Sequence, residues 1–301
     1  MIIGALVGAT GVGKTRLALG IAERLGAEII SVDSRQIYRG MAIGTAQPSS
    51  QQLSLIKHHL IGFLDLIESY SVARFMGDVH EILHQHPGKK FLLVGGAGLY
   101  LQGLMDGLSA VPVTDLKVRD RLHAILLKKG LDWGQRLARR IDPDCAQTLK
   151  PGDTQRTIRI LEIYFQSGKR WSSLQGGRTG GIPGIPVAWL DCGRERLYAQ
   201  INQRVLDMLR NGWLEEVRSL YAQTKGDAPA LDSLGYRTLQ KVLLGELSLE
   251  SAVAEIQQET RNFAKRQLTW FRNKTPNLRF DLENSGENEL ILDILRYFEK
   301  S

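Results

Sequence analysis

Eight residues near the start of the chain, Gly8-Ala9-Thr10-Gly11-Val12-Gly13-Lys14-Thr15, constrain it more than any other stretch. They satisfy G-x-x-x-x-G-K-[ST] and lie between an apolar run, Ile2 to Val7, that reads as a strand and an amphipathic run, Thr15 to Leu25, that reads as a helix. In that setting the glycines let backbone amides close around phosphate oxygens, and the helix N-terminus adds partial positive charge. Lys14 can reach an outer phosphate and the Thr15 hydroxyl can hold Mg²⁺. A site for a diphosphate or triphosphate on a parallel sheet follows.

The alternation of strand and helix continues through residue 111. Ala27 to Val32 reads as a second strand, Ser71 to His86 as a helix opened by a serine cap, and Phe91 to Val94 as a buried strand. Gly95, Gly96 and Gly98 then lead into a helix from Leu99 to Leu108. Texture changes at Val111-Pro112. From Asp115 to Gly168 the pattern is helical with no convincing strand, Gly176 to Pro186 is a Gly/Pro-rich connector, and Pro186 to Asp191 returns as an apolar strand of the first sheet. Leu249 to Arg272 reads as one long helix. The expected fold class is therefore α/β: a P-loop NTPase-like parallel sheet flanked by helices, formed by residues 1–111 and 187–301, with an inserted all-helical domain at 112–186.

Charge separates the same segments. The chain of 301 residues carries 39 Lys and Arg against 32 Asp and Glu, a net charge of +7. Residues 112–186 alone hold 14 basic and seven acidic side chains, while the two flanking parts nearly balance. A surplus confined to one helical insertion points to a polyanion bound there, such as a nucleic acid. Cys145 and Cys192 are the two cysteines, without zinc spacing, which suits a reducing cytoplasm. No run approaches the roughly 20 apolar residues of a membrane span. A soluble, cytoplasmic monomer is expected.

Motor and switch NTPases place an acid at the end of a further strand to hold Mg²⁺ and aim water. Here the strand Phe91 to Val94 ends in glycines, and the nearest acid follows the second strand instead, at Asp33 of Ile30-Ser-Val-Asp33-Ser34-Arg35-Gln36-Ile37-Tyr38. Strand carboxyl ends border the ligand crevice of an open parallel sheet, so Asp33 can face the phosphate ester and accept a proton from a nucleophile. An Asp-Ser pair is equally a loop or helix cap, and the residues alone leave both readings open.

Taken together, GATGVGKT, Ile30 to Ser49 (ISVDSRQIYRGMAIGTAQPS), Leu92 to Leu104 (LLVGGAGLYLQGL), Gly152 to Tyr164 (GDTQRTIRILEIY) and Leu234 to Leu239 (LGYRTL) resemble the tRNA dimethylallyltransferases of bacterial type, also called tRNA isopentenyltransferases. The resemblance spans residue 4 to about residue 273. It implies transfer of a dimethylallyl group from dimethylallyl diphosphate to N6 of adenosine 37 in the anticodon loop of tRNA, with diphosphate as leaving group and Mg²⁺ as cofactor. It implies that Gly8 to Thr15 bind the diphosphate and that Thr15, with Mg²⁺, and Arg237 neutralise it. Asp33 is then the catalytic base, and Asp33, Ser34, Arg35, Gln36 and residue 97 meet the target nucleotide. Gln155, Arg156, Thr157, Ile158 and Arg159 fall on a stretch that contacts tRNA in the family. One departure stands out: the family usually has threonine in GGTGLY, and this chain has Ala97.

Rival readings are a P-loop kinase of a small metabolite and a non-enzymatic RNA-binding module. The first leaves the basic insertion unexplained and the second leaves Asp33 and Arg237 without a role. His80-Glu81-Ile82-Leu83-His84 matches the H-E-x-x-H zinc pattern, but its helix stops at Pro87-Gly88, no third ligand is evident, and a solvated helix face is expected. His58 and His59 follow no ligand spacing. Phe165 is expected to pack the insertion core, while Trp171 could pack or stack a base.

Overall fold

The computed structural model describes residues 1–274, 278–283 and 286–300. Six strands, β1 (Ile2–Gly8), β2 (Ala27–Val32), β3 (His58–His59), β4 (Lys90–Gly95), β5 (Val187–Asp191) and β6 (Arg279–Asp281), form one sheet in the order β3-β2-β4-β1-β5-β6. All pairings are parallel. The central strands are buried along nearly their whole length, which is why β1 and β5 read as continuous apolar runs. The two edge strands, two and three residues long, escape a periodicity search.

Register decides the site. Val7 pairs with Gly95, and Gly95 with Val32. Because β4 lies between β1 and β2, the loop after Gly95 emerges between the phosphate loop and the loop that carries Asp33.

Helices cover the sheet through one apolar cluster. Leu6, Ile29, Leu92 and Leu190 of the strands pack with Leu17 and Ile21 of helix Lys14–Leu25, Leu197 and Ile201 of Arg194–Arg210, Ala264 of Leu249–Lys274, and Ile294 and Phe298 of Glu287–Lys300. Gly26, in the left-handed region at φ 61°, closes the first helix by donating to Ala22 and Glu23 carbonyls. Ser71 caps helix Val72–Gln85 by accepting from Arg74 N. A second cluster joins Ile37, Tyr38 and Met41 to Trp213, Tyr236, Leu239 and Ile256. It anchors the segment after Asp33 on the C-terminal helices.

The chain divides into two compact units, residues 1–105 with 183–301, and residues 106–182. The second unit starts ahead of the composition change at Pro112, where Leu108 and Thr179 exchange hydrogen bonds in an antiparallel bridge that ties the ends of the segment together. Helices Leu116–Lys129, Leu131–Ile141, Pro143–Ala146 and Thr154–Ser167 surround a core of Leu122, Leu126, Ala138, Leu149, Ile158 and Leu161. Asp115, Asp142 and Asp153 cap three of them. Trp171 packs on this core, whereas Phe165 is 56% exposed, contrary to expectation, because it lies on the outer face of its helix. Among the described residues no helix is long and apolar enough to cross a membrane.

Candidate active site

The phosphate loop needs its glycines. A Cβ on Gly8 would stand 2.7 Å from Leu190 O, and Gly11 and Gly13 take φ of 83° and 98°. Gly13 begins helix Lys14–Leu25 without a side-chain cap, so the first-turn amides stay available to an anion. Lys14 Nζ donates to Gly8 O at 3.0 Å and Ala9 O at 2.8 Å. Burial pulls its pKa down to about 7, the charge of Arg204 pulling the same way and Asp33 opposing. Thr15 is exposed at the helix start.

Arg204, on helix Arg194–Arg210, is the feature that sequence reading misses. Burial lowers its pKa, the Asp33 carboxylate raises it, and among the described residues no hydrogen bond or ion pair engages its guanidinium. Two half-buried cations thus share one carboxylate, an arrangement short of negative charge until an anion arrives. A sequence signal did exist: Leu197, Ile201 and Val205 are the buried stripe of that helix, and Arg204 flanks it.

Asp33 turns out to be a cap and still free to act. Its Oδ1 accepts from Arg35 N at 2.8 Å and Gln36 N at 3.2 Å, while Oδ2 has no protein partner among the described residues. Gln36, expected to face the target base, is instead used internally: it donates to Thr45 O at 3.2 Å and Ala46 O at 2.8 Å and accepts from Ser31 Oγ at 3.2 Å. Glu216 adds bonds from Ile43 N at 2.8 Å and Gly44 N at 3.0 Å, which fixes the loop from the far side. The side chains of Ser34 and Arg35 make no hydrogen bond or ion pair among the described residues.

Between these loops, Gly95 lies so close to β2 that a Cβ would stand 2.0 Å from Val32 O. Ala97 N donates to Val32 O at 3.1 Å, and Ala97 O accepts from Tyr100 N and Leu101 N, so Ala97 opens helix Gly98–Asp106 with a methyl group where a hydroxyl could cap. Tyr100 beneath is pushed up to about 12 by burial and by the neighbouring Tyr38 and Asp33.

Arg237 does not join this group. It stands at the start of helix Tyr236–Leu243, bound to Asp232 at 2.9 Å, to Gly226 O and to Gln240 Oε1. Its guanidinium is engaged within that turn, whereas that of Arg204 has no hydrogen-bond or ion-pair partner among the described residues.

The isopentenyl transferase family model matches residues 1–62 and the IPP transferase model residues 36–274. The chain belongs to the IPP transferase family. It is 38% identical to a tRNA dimethylallyltransferase of Syntrophomonas wolfei over 96% of this chain and 94% of the relative. It is 41% identical to one of Chloroherpeton thalassium over 95% and 91%. Among solved structures, a tRNA isopentenylpyrophosphate transferase from Bacillus halodurans matches with a TM-score of 0.72 at 33% identity, covering 99% of this chain and 96% of that one. A eukaryotic dimethylallyltransferase captured acting on tRNA gives 0.78 at 27% identity, covering 93% and 73%.

In this family member the helical unit spends its charge unevenly. Of the five residues from Gln155 to Arg159, Gln155 and Arg156 are exposed, while Thr157 and Ile158 are buried in the unit's core at 0% and 2% exposure and have no surface to offer RNA. Arg159 is bound to Pro112 O, Thr114 Oγ1 and the buried Glu162 carboxylate, which Arg119 also holds at 3.0 Å. Spacing could have warned of this, since Thr157, Ile158, Leu161 and Glu162 share one helical face. Lys128, Lys129, Arg136, Arg139, Arg140, Lys150 and Arg170 are exposed and make no ion pair among the described residues.

Proposed function

We propose that this enzyme transfers a dimethylallyl group from dimethylallyl diphosphate to N6 of adenosine 37 in tRNA. The observation that carries the reading is the phosphate loop, with an uncapped helix start and Lys14 held on Gly8 O and Ala9 O, on the same sheet edge as the Asp33 carboxylate, whose charge acts on both Lys14 and Arg204. Amides of the first helical turn and Lys14 bind the diphosphate, and Arg204 neutralises charge as it develops on the bridging oxygen. The bond from the allylic carbon to that oxygen breaks, and its electron pair leaves with diphosphate. The N6 lone pair of adenine forms the new carbon–nitrogen bond, and the N6 proton passes to Oδ2 of Asp33. Oδ1, bound to two backbone amides, keeps the carboxylate aimed.

Mg²⁺ suits this donor set. Among the described residues no three His, Cys, Asp or Glu side chains converge as a metal cage. Mg²⁺ is commonly held by one or two protein oxygens plus substrate phosphates, which the Thr15 hydroxyl and a diphosphate provide. When bound it adds charge neutralisation to the leaving group.

The target base must leave its stack, at a cost of a few kcal/mol that an anticodon loop keeps small. Ser34, Arg35 and the Ala97 turn border the place it would enter. Gln155, Arg156 and the exposed lysines and arginines of residues 106–182 bind the stem-loop phosphates. The enzyme works as a cytoplasmic monomer, and burial pushes both Cys145 and Cys192 up to about 11, which keeps these thiols protonated near neutral pH.

The test is direct. Purified protein with Mg²⁺ and dimethylallyl diphosphate is expected to prenylate an anticodon stem-loop with adenosine at position 37. ATP-dependent phosphorylation of a small metabolite without prenyl transfer would establish the kinase reading instead.

A further inference from the structure

Helix Leu249–Lys274 buries Ala252, Ile256, Ala264, Gln267 and Phe271 along one face. Four of these pack as apolar residues do. The fifth is an amide, 8% exposed, and a buried amide costs about 1–3 kcal/mol unless its polar atoms find partners. Both partners lie in loops of the site. Oε1 accepts from Thr10 N at 2.8 Å, and Nε2 donates to Gly96 O at 2.9 Å.

The first bond has a consequence for Lys14. The Ala9–Thr10 peptide is planar, so fixing the direction of its N–H also fixes that of its carbonyl. That carbonyl, Ala9 O, is one of the two acceptors that hold the Lys14 ammonium. Gln267 therefore grips the same peptide that sets where Lys14 rests. The second bond reaches the acceptor side: Gly96 precedes Ala97, whose N–H is bound to Val32 O, one residue before Asp33. The fit is close, since a Cβ on Gly96 would stand 2.4 Å from Gln267 Nε2.

We propose that Gln267 is a positioning residue that sets the spacing between the diphosphate cradle and the Asp33 carboxylate by bridging the phosphate loop and the glycine loop. The proposal rests on the prenyl-transfer reading, because that spacing is the path of the allylic carbon from oxygen to N6. Gln267 touches no substrate and acts through Thr10, Ala9 and Gly96. Misplacement by about 1 Å can cost about 100-fold in rate, so the effect falls on kcat as well as on donor binding.

Two variants separate this from packing. Gln267→Met keeps length and volume and loses both bonds, whereas Gln267→Glu keeps an acceptor for Thr10 N. With dimethylallyl diphosphate and an adenosine-37 stem-loop, Gln267→Met is expected to lower kcat at least 30-fold and raise donor KM at least fivefold, leaving stem-loop KM within twofold. Gln267→Glu is expected to return donor KM to within twofold of the unmodified enzyme. If Gln267→Met keeps kcat and donor KM within threefold per folded molecule, whatever its Tm, Gln267 only packs and the proposal falls. It falls equally if Gln267→Glu binds donor no better than Gln267→Met. Absence of transfer by the unmodified protein would sink the prenyl-transfer reading alone. Calorimetric titration with inorganic diphosphate and Mg²⁺ then still tests the bridge, with binding weakened in Gln267→Met and restored in Gln267→Glu expected, and equal binding by all three proteins overturning it.

Discussion

At the phosphate loop, Lys14 and Arg204 are half-buried within the field of one carboxylate, Asp33, and burial lowers the pKa of both. In residues 106–182, fourteen Lys and Arg face eight Asp and Glu, and all but Arg119, Arg156, Arg159 and Arg178 are exposed without an ion pair among the described residues. Both regions are cationic, but the physics differs. Two poorly solvated charges gain strongly from a small dianion, and salt screens them little. Exposed charges gain from a long phosphate backbone by releasing counterions, so their contribution falls steeply with salt. Donor and RNA binding should therefore respond to different substitutions and to salt in different degree.

The largest effect is expected at the carboxylate shared by the donor cations. Asp33→Ala should lower kcat about 10³-fold in single-turnover prenyl transfer, within the usual range for a general base, with donor affinity changed little. Persistence of turnover within a few fold would reduce Asp33 to a cap. Arg204→Gln should cost about 10²-fold in kcat/KM, comparable to removing one transition-state donor, while Arg237→Gln leaves donor KM within about threefold. The reverse ranking would return the diphosphate role to Arg237.

Within the helical unit the comparison sharpens. Arg159→Gln removes one of two cations from the buried Glu162 carboxylate and should destabilise the fold by about 1–3 kcal/mol in urea, with RNA affinity per folded molecule nearly unchanged. Arg136→Glu with Arg140→Glu should leave stability alone and reduce the slope of log affinity against log salt by about one per lost phosphate contact. If Arg159→Gln instead flattened that slope, its guanidinium would be an RNA contact and not a strut.

The smallest effect concerns pH. Folded Lys14 titrates near 7 against an ordinary 10.5, so between those values the unfolded chain binds more protons and ligand-free stability rises with pH. Lys14→Met should raise the Tm of ligand-free protein at pH 7, and the gain should shrink as pH rises toward 10.5. A gain independent of pH would mean that Lys14 is solvated in the free enzyme.

The two regions were also unequally legible. The positions of Lys14, Thr15 and Asp33 are legible because local rules fix them, a loop motif between strand and helix and an acid at a strand end, while the residues alone leave Asp33 open between cap and base. Leu197–Ile201–Val205 spacing places the helix that carries Arg204, but its delivery to the phosphate loop depends on how that helix packs against Gly11 and helix Leu249–Lys274, which no local pattern encodes. Arg237 shows the converse, since a motif marks it while its partners Asp232 and Gly226, neighbours within eleven residues, appear only once the turn is folded. The resemblance marks Gln155 to Arg159 as one stretch, while the helical period splits it and buries Thr157 and Ile158. The charge surplus of the insertion was plain from counting. Which arginines are free depends on tertiary contacts such as those of Glu162 with Arg119 and Arg159.

The central claim is that Asp33 takes the N6 proton of adenosine 37 as diphosphate leaves from the Lys14–Arg204 cradle. The most direct measurement is single-turnover transfer to an anticodon stem-loop, followed by intact mass, with the unmodified enzyme and Asp33→Asn at matched donor saturation. One dimethylallyl group added per adenosine-37 loop, lost when position 37 is guanosine and slowed about 10³-fold by Asp33→Asn, is the predicted result. Equal transfer by both proteins, or transfer to the guanosine loop, would contradict it.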